Sequence, residues 1–455
     1  MRAAAAAAGA DEAYHLGLDF GTSGARVTVI DGSGEVVTEA KSGYGADAAA
    51  DWAAAWERVL FGLLASLPEA ARGRVASLAI DGTSATALLL DAASGDVLAA
   101  PKLYNEAQGP DAVAAAKTVA PPAHTAAAAT STLAKLLTWH LGGAWQAAAA
   151  RGTAPALLHQ ADWLASLLHG RRDTSDWNNA LKLGYDPGLE AYPDWLLSQA
   201  RRGGGEAAWP AGRPAGRLGR RGGPAAGANG GRAGASDAIV CGGTTDSIAA
   251  FVAAGVTEVG QAVTSLGSTM AVKLLSSCRV DDSAYGIYSH RLGGSWLVGG
   301  ASNTGGAVLR QFFTDAQLAE LTARIEVARP SGLDYYPLVT PGERFPVNDP
   351  GLRPRLEPRP EDDAVFLQGI LESMARIEGE AYAQLRRLGA SPLTEVVTAG
   401  GGAVNAKWTA MRAAALGVPV RRAAQGEASY GAALLARQGW RQHLAQRREA
   451  LLTDG

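Results

Sequence analysis

The chain alternates between short apolar runs that end on glycine and hydroxyl residues and longer stretches with helical spacing. In residues 16–26, LGLDFGTSGAR, an apolar run reaches Asp19, crosses a glycine loop and resumes its alternation at Val27. Period-two alternation on both sides of such a loop predicts two antiparallel strands. Glycine lets backbone N–H groups approach an anion, and Asp19 could help to hold a divalent cation. An ordinary hairpin with an acidic end explains the same stretch equally well.

The next segments predict an α/β arrangement. A second hairpin is expected around DGSG at residues 31–34, and residues 51–67 show the apolar spacing of an amphipathic helix. Residues 75–80 read as a buried strand that ends on Asp81, and residues 88–97 as a further hairpin. Because α/β folds bind ligands at the carboxyl ends of their strands, the polar residues after these strands are candidates for a site.

Helical patterns dominate residues 101–190. Their histidines His140, His159 and His169 have no neighbouring cluster of carboxylates or cysteines, so we expect partly exposed helix residues and no metal site. The polar loop SDWNNALKLGYD, residues 175–186, is of the kind that lines binding sites. Turns capped by Asn and Asp side chains account for it equally well.

Residues 201–234 are rich in Gly, Arg, Ala and Pro and lose apolar periodicity, which predicts a flexible insert or linker. RNA binding by such a tract would require interleaved aromatic residues, and only Trp209 is present. Ordered pattern resumes at Ala238. From there, strands repeatedly precede glycine and hydroxyl turns, as at Gly267 and at residues 400–402. The opening stretch has the same order of a strand and a glycine turn. This repetition suggests two domains of like fold.

Composition excludes several classes of protein. With 47% hydrophobic and 19% charged residues, the chain is typical of soluble globular proteins. A net charge of −3 argues against binding to nucleic acid or to membrane surfaces through bulk electrostatics. Two cysteines form no disulfide framework, which favours a reducing compartment. The N-terminal MRAAAAAAGADE is expected to be a disordered tail, with the remnant of an organelle transit peptide as the alternative.

Five motifs occur in the order found in the FGGY carbohydrate kinases: DFGTSGAR, GGTTDS, SLGSTMAV, ASNTGG and TAGGGAVNAKW. The P-loop pattern is absent from the sequence. The resemblance implies an α/β protein with the two-domain actin-like ATPase (ribonuclease H-like) fold and a cleft between the domains. It divides the chain into a disordered tail over 1–14, a sugar- and phosphate-binding domain over 15–200, an insert or linker over 201–236, and a nucleotide-binding domain over 237–455.

The same resemblance implies the roles of individual residues. In the family, the aspartate matching Asp246 is the general base that takes a proton from the sugar hydroxyl, although the helix macrodipole alone could favour an aspartate there. Asp19 is expected to organise Mg²⁺ through water. The positions implied for ATP lie on the glycine turns and their flanks: Gly21, Thr22, Ser23, Arg26, Gly267, Ser268, Thr269, Gly305, Gly401, Gly402 and Asn405.

Five segments bear on the identity of the sugar. Xylulose kinases of the family tend to carry Trp-x-Asp-x-Arg where this chain has YNEAQ, with Glu106 for the acid and Gln108 for the arginine. The segments DGTSAT, HQADWL, NNALKLGYD and CGGTTDSIAAF resemble the D-ribulose kinases of plants and cyanobacteria, which favours D-ribulose phosphorylated at O5. D-xylulose or another ketose or polyol is the alternative. The expected sugar contacts are Asp81, Thr83, Ser84, Asn105, Glu106 and Asp246.

An actin- or chaperone-like ATPase without a sugar substrate is the competing hypothesis from another class. Such proteins share the phosphate hairpins but lack a GTTDS base beside a sugar pocket. The expected partners are therefore a small sugar and ATP, with neither nucleic acid nor membrane, and a homodimer stays open. The expected location is the cytoplasm, or a plastid if the N-terminus is a shortened transit peptide.

Overall fold

The computed structural model describes residues 13–122, 124–202 and 238–453. Within them the chain forms two compact units, one of Met1–Ala253 with Glu427–Gly455 and one of Ala254–Gly426. Residues 1–12 of the expected tail lie outside the described residues, whereas Tyr14 already begins a strand. The expected insert also lies outside them, apart from residues 201–202, which end a helix.

The first unit contains two sheets and the helices that pack on them. Its strands are β1 (Tyr14–Phe20), β2 (Gly24–Ile30), β3 (Val36–Gly43), β4 (Val75–Gly82), β5 (Ala87–Asp91), β6 (Val97–Lys102), β7 (Pro155–His159), β8 (Ile239–Val240) and β9 (Thr244–Thr245). Its helices are α1 (Trp52–Ser66), α2 (Glu69–Arg72), α3 (Pro110–Val119), α4 (Thr132–Leu141), α5 (Ala144–Ala150), α6 (Gln160–His169), α7 (Trp177–Ala180), α8 (Asp194–Arg202), α9 (Asp246–Ala253) and α14 (Ala428–Thr453).

The main sheet of this unit has the order β3-β2-β1-β4-β8, and β9 also pairs with β4. β1 and β2 are antiparallel, as are β2 and β3, whereas β1 and β4 run parallel. A second sheet has the order β6-β5-β7. The hairpins predicted at residues 16–26, 31–34 and 88–97 are thus confirmed.

Helix α1 shows why the apolar pattern predicted the first unit well. Asp51 caps it by accepting the N–H of Ala54 at 3.0 Å. Trp56, Leu60 and Leu63 recur at helical spacing and lie buried in the core with the strands of the main sheet. Burial of each such side chain contributes about 1.5–3 kcal/mol, so this face fixes α1 against the sheet.

The C-terminal helix α14 packs on the first unit, on β1 and β4. An added Cβ at Gly17 would lie 2.0 Å from the Ser429 carbonyl oxygen, so strand and helix backbones nearly touch. The division therefore differs from the expected boundary at residue 237, because β8 and β9 add to the sheet beside β4 and α14 covers it.

The second unit repeats this plan around one sheet. Its strands are β10 (Gln261–Leu266), β11 (Met270–Ser276), β12 (His290–Leu292), β13 (Ser295–Ser302), β14 (Glu395–Ala399) and β15 (Val420–Arg422). Its helices are α10 (Gly306–Leu309), α11 (Asp315–Arg324), α12 (Asp363–Arg387) and α13 (Ala406–Leu416). The strand order is β12-β13-β11-β10-β14-β15.

The two sheets share one topology. In the first unit β3, β2 and β1 are antiparallel neighbours and β4 follows in parallel to β1. In the second unit β13, β11 and β10 are antiparallel neighbours and β14 follows in parallel to β10. The duplication predicted from the repeated glycine turns is confirmed. Among the described helices, none is long and apolar enough to cross a membrane.

Candidate functional site

Acidic residues of the first unit meet at the carboxyl ends of parallel strands. Asp19 on β1 is the register partner of Asp81 on β4, and Asp81 is the partner of Thr244 on β9. Asp246 follows β9 directly as the first residue of α9 and accepts the N–H of Ser247 at 2.6 Å through Oδ1. The strand pairing therefore gathers three acids that lie up to 227 positions apart in sequence (246 − 19 = 227).

Burial makes Asp19 and Asp81 hard to ionise. The pKa of Asp81 lies well above its usual value, first because the side chain is fully buried and then because of the negative charge of Asp19. The pKa of Asp19 is raised as well, mainly by burial, with Asp246 adding to the effect; a hydrogen bond with Asp81 works in the opposite direction. Both carboxyl groups are therefore biased towards the neutral form, and Asp81 more strongly than Asp19.

The loop between β1 and β2 presents its hydroxyls to solvent. Thr22 and Ser23 are exposed, and the Gly21 N–H donates to the Gly24 carbonyl at 3.1 Å to close the turn. Tyr44 donates a hydrogen bond from its hydroxyl to the Gly21 carbonyl at 2.8 Å and so holds the loop in place. The resemblance assigned Arg26 to ATP. In the structure Arg26 forms a half-exposed ion pair with Glu427, the residue that precedes α14.

The turn after β4 is held by a glutamine that the sequence analysis did not single out. Gln160, the first residue of α6, accepts both the backbone N–H and the hydroxyl of Thr83 at 3.0 Å. Thr83 is buried and also bonds Thr86 at 2.5 Å, whereas Ser84 is half-buried. Gln160 lies in the HQADWL segment, so the motif was noticed but its anchoring residue was not.

The YNEAQ segment, which is also expected to contact the sugar, is held by hydrogen bonds among residues 102–108. Glu106 accepts the Lys102 ammonium at 2.9 Å, and Gln108 donates to the Glu106 carbonyl at 2.9 Å. Burial is the largest single effect on the pKa of Glu106 and raises it, but the hydrogen bond and charge of Lys102 and the hydrogen bonds from Gln108 and the Leu103 N–H together outweigh it and lower the pKa. Asn105 is exposed beside it. The replacements at Glu106 and Gln108 thus form a local pair of their own.

The polar loop at residues 175–186 supports the strand that leads to Asp246. Asp176 caps α7 by accepting the N–H groups of Asn178 and Asn179 at 2.8 and 3.0 Å. Asn178 donates to the Thr244 hydroxyl at 3.0 Å and Asn179 to its carbonyl at 3.1 Å. Burial, with the charge of Asp162, raises the pKa of Asp176 to about 6. The turns capped by Asn and Asp side chains, one of the two interpretations of residues 175–186, are therefore present, and they support the strand before Asp246.

The histidine prediction holds for two residues of three. His140 and His169 lie partly exposed in helices. His159 is buried at the end of β7, with Nδ1 2.8 Å from Asp162 Oδ2, so the prediction of a partly exposed helix residue was wrong there. Ser175 donates to the same Asp162 oxygen at 2.6 Å, so Nδ1 of the buried histidine belongs to a polar cluster, whereas its Nε2 is buried without a hydrogen-bond partner among the described residues.

In the second unit, a loop equivalent to that of the first follows β10. Ser268 accepts a hydrogen bond from Arg310 at 2.8 Å, and the Gly306 N–H donates to the Gly267 carbonyl at 2.8 Å. Gly305 has φ +150°, and a Cβ there would lie 2.7 Å from the Ser268 carbonyl oxygen and the Thr269 Cα. Only glycine permits this approach, which brings two of the predicted motifs together.

The triple-glycine turn joins the same strand end. Gly400 has φ +82°, and its added Cβ would lie 2.7 Å from the Leu266 carbonyl oxygen. Asn405 caps α13 by accepting the Trp408 N–H at 2.9 Å, and Gly401 is exposed with open space around it. The turn is thus the neighbour of the Gly267 loop, as the parallel pairing of β10 with β14 requires.

The oxygen atoms around Asp19 fit a hard cation. Asp19 Oδ1 is buried without a hydrogen-bond partner among the described residues. Mg²⁺ prefers carboxylate oxygens and retains several waters. In the described part of the chain no three His, Cys, Asp or Glu side chains are grouped closely enough to hold a metal by themselves. An ion at Asp19 would therefore complete its shell with water and phosphate oxygens.

Residues 262–440 match the C-terminal domain of the FGGY family of carbohydrate kinases. The predicted class of enzyme, an ATP-dependent carbohydrate kinase, is thereby confirmed. The match covers the Gly267, Gly305 and Gly400 turns of the second unit and continues into α14 of the first.

Solved structures share the fold of this kinase. It is similar to the xylulose kinase from Rhodospirillum rubrum, with a TM-score of 0.73, 22% identity and coverage of 94% of this chain and 90% of that one. For the xylulose kinase from Bifidobacterium adolescentis the values are 0.71, 20%, 94% and 92%. For the glycerol kinase from Plasmodium falciparum with ADP they are 0.74, 13%, 94% and 90%. The two-domain actin-like fold is confirmed.

Proposed function

We propose that the kinase transfers the γ-phosphate of ATP to O5 of D-ribulose, with Asp246 as the general base. The observation that carries the proposal is the position of Asp246. The residue begins α9 directly after β9, which pairs with β4 beside Asp81. Asn178 and Asn179 hold Thr244, two residues before it. A carboxylate fixed in this way can orient a hydroxyl and accept its proton.

The other residues of the first unit take roles that follow from their chemistry. Burial raises the pKa of Asp81 and favours its neutral form, which can donate a hydrogen bond. Ser84 presents its hydroxyl on the next turn, and Thr83 anchors that turn through Gln160. Asn105 offers an exposed amide to the sugar, and Glu106 offers a carboxylate that is already paired with Lys102. Thr22 and Ser23 lie exposed on the loop after β1, where they can donate to phosphate oxygens.

In the second unit, the turns with Gly267, Gly305 and Gly401 accept ATP in this proposal. Exposed backbone N–H groups of glycine turns bind phosphate, as Ser268 and Thr269 can with their hydroxyls. Asp19 would hold Mg²⁺, which would neutralise negative charge at the phosphates.

D-ribulose is favoured over D-xylulose by the sugar segments. The acid of the YNEAQ segment is paired with Lys102, and Gln108 is buried on the Glu106 carbonyl. The segment therefore does not offer the free acid and arginine of the xylulose kinase pattern. The names of the structural neighbours favour D-xylulose as the second candidate.

A sugar panel tests the substrate. ADP release is measured with D-ribulose, D-xylulose, L-ribulose, sedoheptulose and glycerol, each over a range of concentrations. We expect the highest kcat/KM with D-ribulose. A preference for D-xylulose would replace the sugar and keep the kinase. ADP release that no sugar accelerates would instead favour an actin- or chaperone-like ATPase.

Exchange of Asp246 for asparagine tests the base. Asp246→Asn removes the proton acceptor and keeps the shape of the side chain, so kcat should fall about 10²- to 10⁴-fold. Sugar binding, measured by calorimetry, should change little. Asp315→Asn is the matched control, because Asp315 also begins a helix and is exposed. An Asp246→Asn enzyme with normal kcat would reduce Asp246 to a helix-start residue.

A further inference from the structure

Lys135 on α4 is a fully buried lysine in the first unit. Its relative exposure is 0%, and its neighbours Ala134 and Leu133 are equally buried. Ser131 caps the helix by accepting the Ala134 N–H at 3.0 Å and donates to the Ala126 carbonyl at 2.6 Å. The start of α4 is therefore fixed, and the lysine cannot extend to solvent from it.

The ammonium group joins two backbone segments. Lys135 Nζ donates to the Ala85 carbonyl at 2.7 Å and to the Leu103 carbonyl at 2.6 Å. Ala85 lies in the turn between β4 and β5, and Leu103 follows the end of β6. Burial of a lysine costs free energy, because its charged ammonium must leave water. Packing alone therefore does not account for a buried lysine at this position.

Ala85, whose carbonyl accepts from Lys135, has a strained backbone conformation. Its φ is +66°, in the left-handed region that a residue with a Cβ occupies at a cost of about 1–3 kcal/mol. Such a conformation persists only where the surroundings fix it. Here Gln160 holds Thr83 on one side of the turn and Lys135 holds the Ala85 carbonyl on the other.

The two segments are those that carry the proposed sugar contacts. Thr83 and Ser84 lie on the first and Asn105 and Glu106 on the second. We propose that Lys135 is a positioning residue for the acceptor sugar, which holds the two sugar-binding segments in one fixed relation through their carbonyls. This inference rests on the proposed function, and it deepens it by naming a residue that sets sugar affinity without touching the sugar.

Charge makes the contact sensitive to pH. Burial lowers the pKa of Lys135 to about 7; Glu106 opposes this effect, whereas the positive charges of Lys182 and Lys102 add to it. Below pH 7 the ammonium forms charge-assisted hydrogen bonds, which are about twice as strong as those of the neutral amine. Sugar affinity is therefore greatest below pH 7 and falls above it.

The test separates sugar affinity from turnover. Lys135→Met keeps the length of the side chain and leaves both carbonyls unpaired. The KM for the best sugar of the panel should rise at least about tenfold, with the KM for ATP within about twofold of the original. The matched control is Lys117→Met, since Lys117 is an exposed lysine of the neighbouring α3. An unchanged sugar KM in a folded Lys135→Met enzyme would overturn the inference.

The pH profile provides a second test if Lys135→Met does not fold. In the original enzyme the sugar KM should rise about fivefold between pH 6 and 8.5, and the ATP KM should not follow it. Lys182→Met should move the midpoint of that rise to higher pH. A flat sugar profile, or a midpoint that Lys182→Met leaves in place, would contradict the inference. If the original enzyme phosphorylates no sugar, the proposed function and this inference fail together.

Discussion

At the scale of single residues, the first unit is unusual for the ionisable side chains that it buries near its strand ends. Asp81, Lys135 and His15 are all at most 1% exposed. Each has a pKa displaced towards its neutral form, because burial disfavours charge. The proposed chemistry uses this property at Asp81 and Lys135, whereas at His15 the effect is on stability alone.

His15 gives a prediction for stability against pH. It lies on β1 with Nδ1 2.8 Å from the Ser77 hydroxyl, and its pKa is lowered to about 4 by burial and by Arg437 and Arg441. In the unfolded chain a histidine has a pKa of about 6.5. The folded state therefore has its full stability above pH 6.5 and loses it as the pH falls towards 4.

Replacement of His15 by glutamine should remove this loss. Relative to His15→Gln, the original protein should lose about 2 kcal/mol of unfolding free energy between pH 7 and pH 5. Urea unfolding of both proteins at the two pH values measures the difference. Equal pH dependence of the two proteins would show that His15 does not titrate in this way.

At the scale of elements, buried polar contacts behind the strands hold the turns of the second unit. Arg412 on α13 forms a buried ion pair with Glu378 on α12, the guanidinium and carboxylate being 1% and 0% exposed. Arg412 also donates to Thr398 on β14, and Thr264 on β10 donates to Glu378. Two helices and two strands thus meet at one network directly behind the Gly267 and Gly400 turns.

Loss of one partner should be costly. Arg412→Met leaves the Glu378 charge buried and unpaired, and the free energy of unfolding should fall by about 3–5 kcal/mol. The exposed pair Arg421–Glu395 supplies the control, since Arg421→Met should cost no more than about 1 kcal/mol. Thermal unfolding measures both.

The second partner completes the cycle. Glu378→Gln in the Arg412→Met background should recover part of the lost stability, because no buried charge then remains. A double variant as unstable as the sum of the two single variants would mean that the residues act independently.

At the scale of the whole molecule, the C-terminal helix of the chain packs against its first strand. The last helix α14 belongs to the unit that starts with β1, and Thr28 and Ser429 are joined by a buried hydroxyl contact of 2.8 Å. Gly431 has its own close contact, since a Cβ there would lie 1.9 Å from the Ala249 carbonyl oxygen. Small residues on these surfaces let α14 lie against β1 and α9.

Replacement of Gly17 by alanine tests the close packing of α14 on β1. A Cβ in Gly17→Ala would meet the backbone of α14 at 2.0 and 2.2 Å, so β1 and the helix must separate. We expect a loss of about 1–3 kcal/mol or more, as for overpacked cores, seen as a lower midpoint of thermal unfolding. Gly62→Ala in α1 is the control, because nothing lies within 4 Å of its added Cβ and alanine favours helix. A normal midpoint for Gly17→Ala would contradict the close packing.

Much of the fold followed from local pattern. Alternating apolar residues predicted β1 and β2, and helical spacing predicted α1, because each element buries one face and the sequence carries its period. Glycine turns that repeat after strands predicted two sheets of one topology. The motifs also predicted Asp19, Asp81 and Asp246 as candidates, since acids at strand ends are visible without coordinates.

By itself, then, the sequence determined the elements, their repeated order and the chemical types at their ends, all of which are properties of neighbouring residues. Only the tertiary structure decided that β9 and α14 join the first unit, that His159 is buried and that Gln160 and Lys135 hold the turn after β4. These depend on pairs far apart in the chain: Lys135 reaches the Ala85 carbonyl across 50 positions. A lysine in an apolar helix pattern was the one local signal of that contact, and its partners are backbone carbonyls, which no side-chain pattern records.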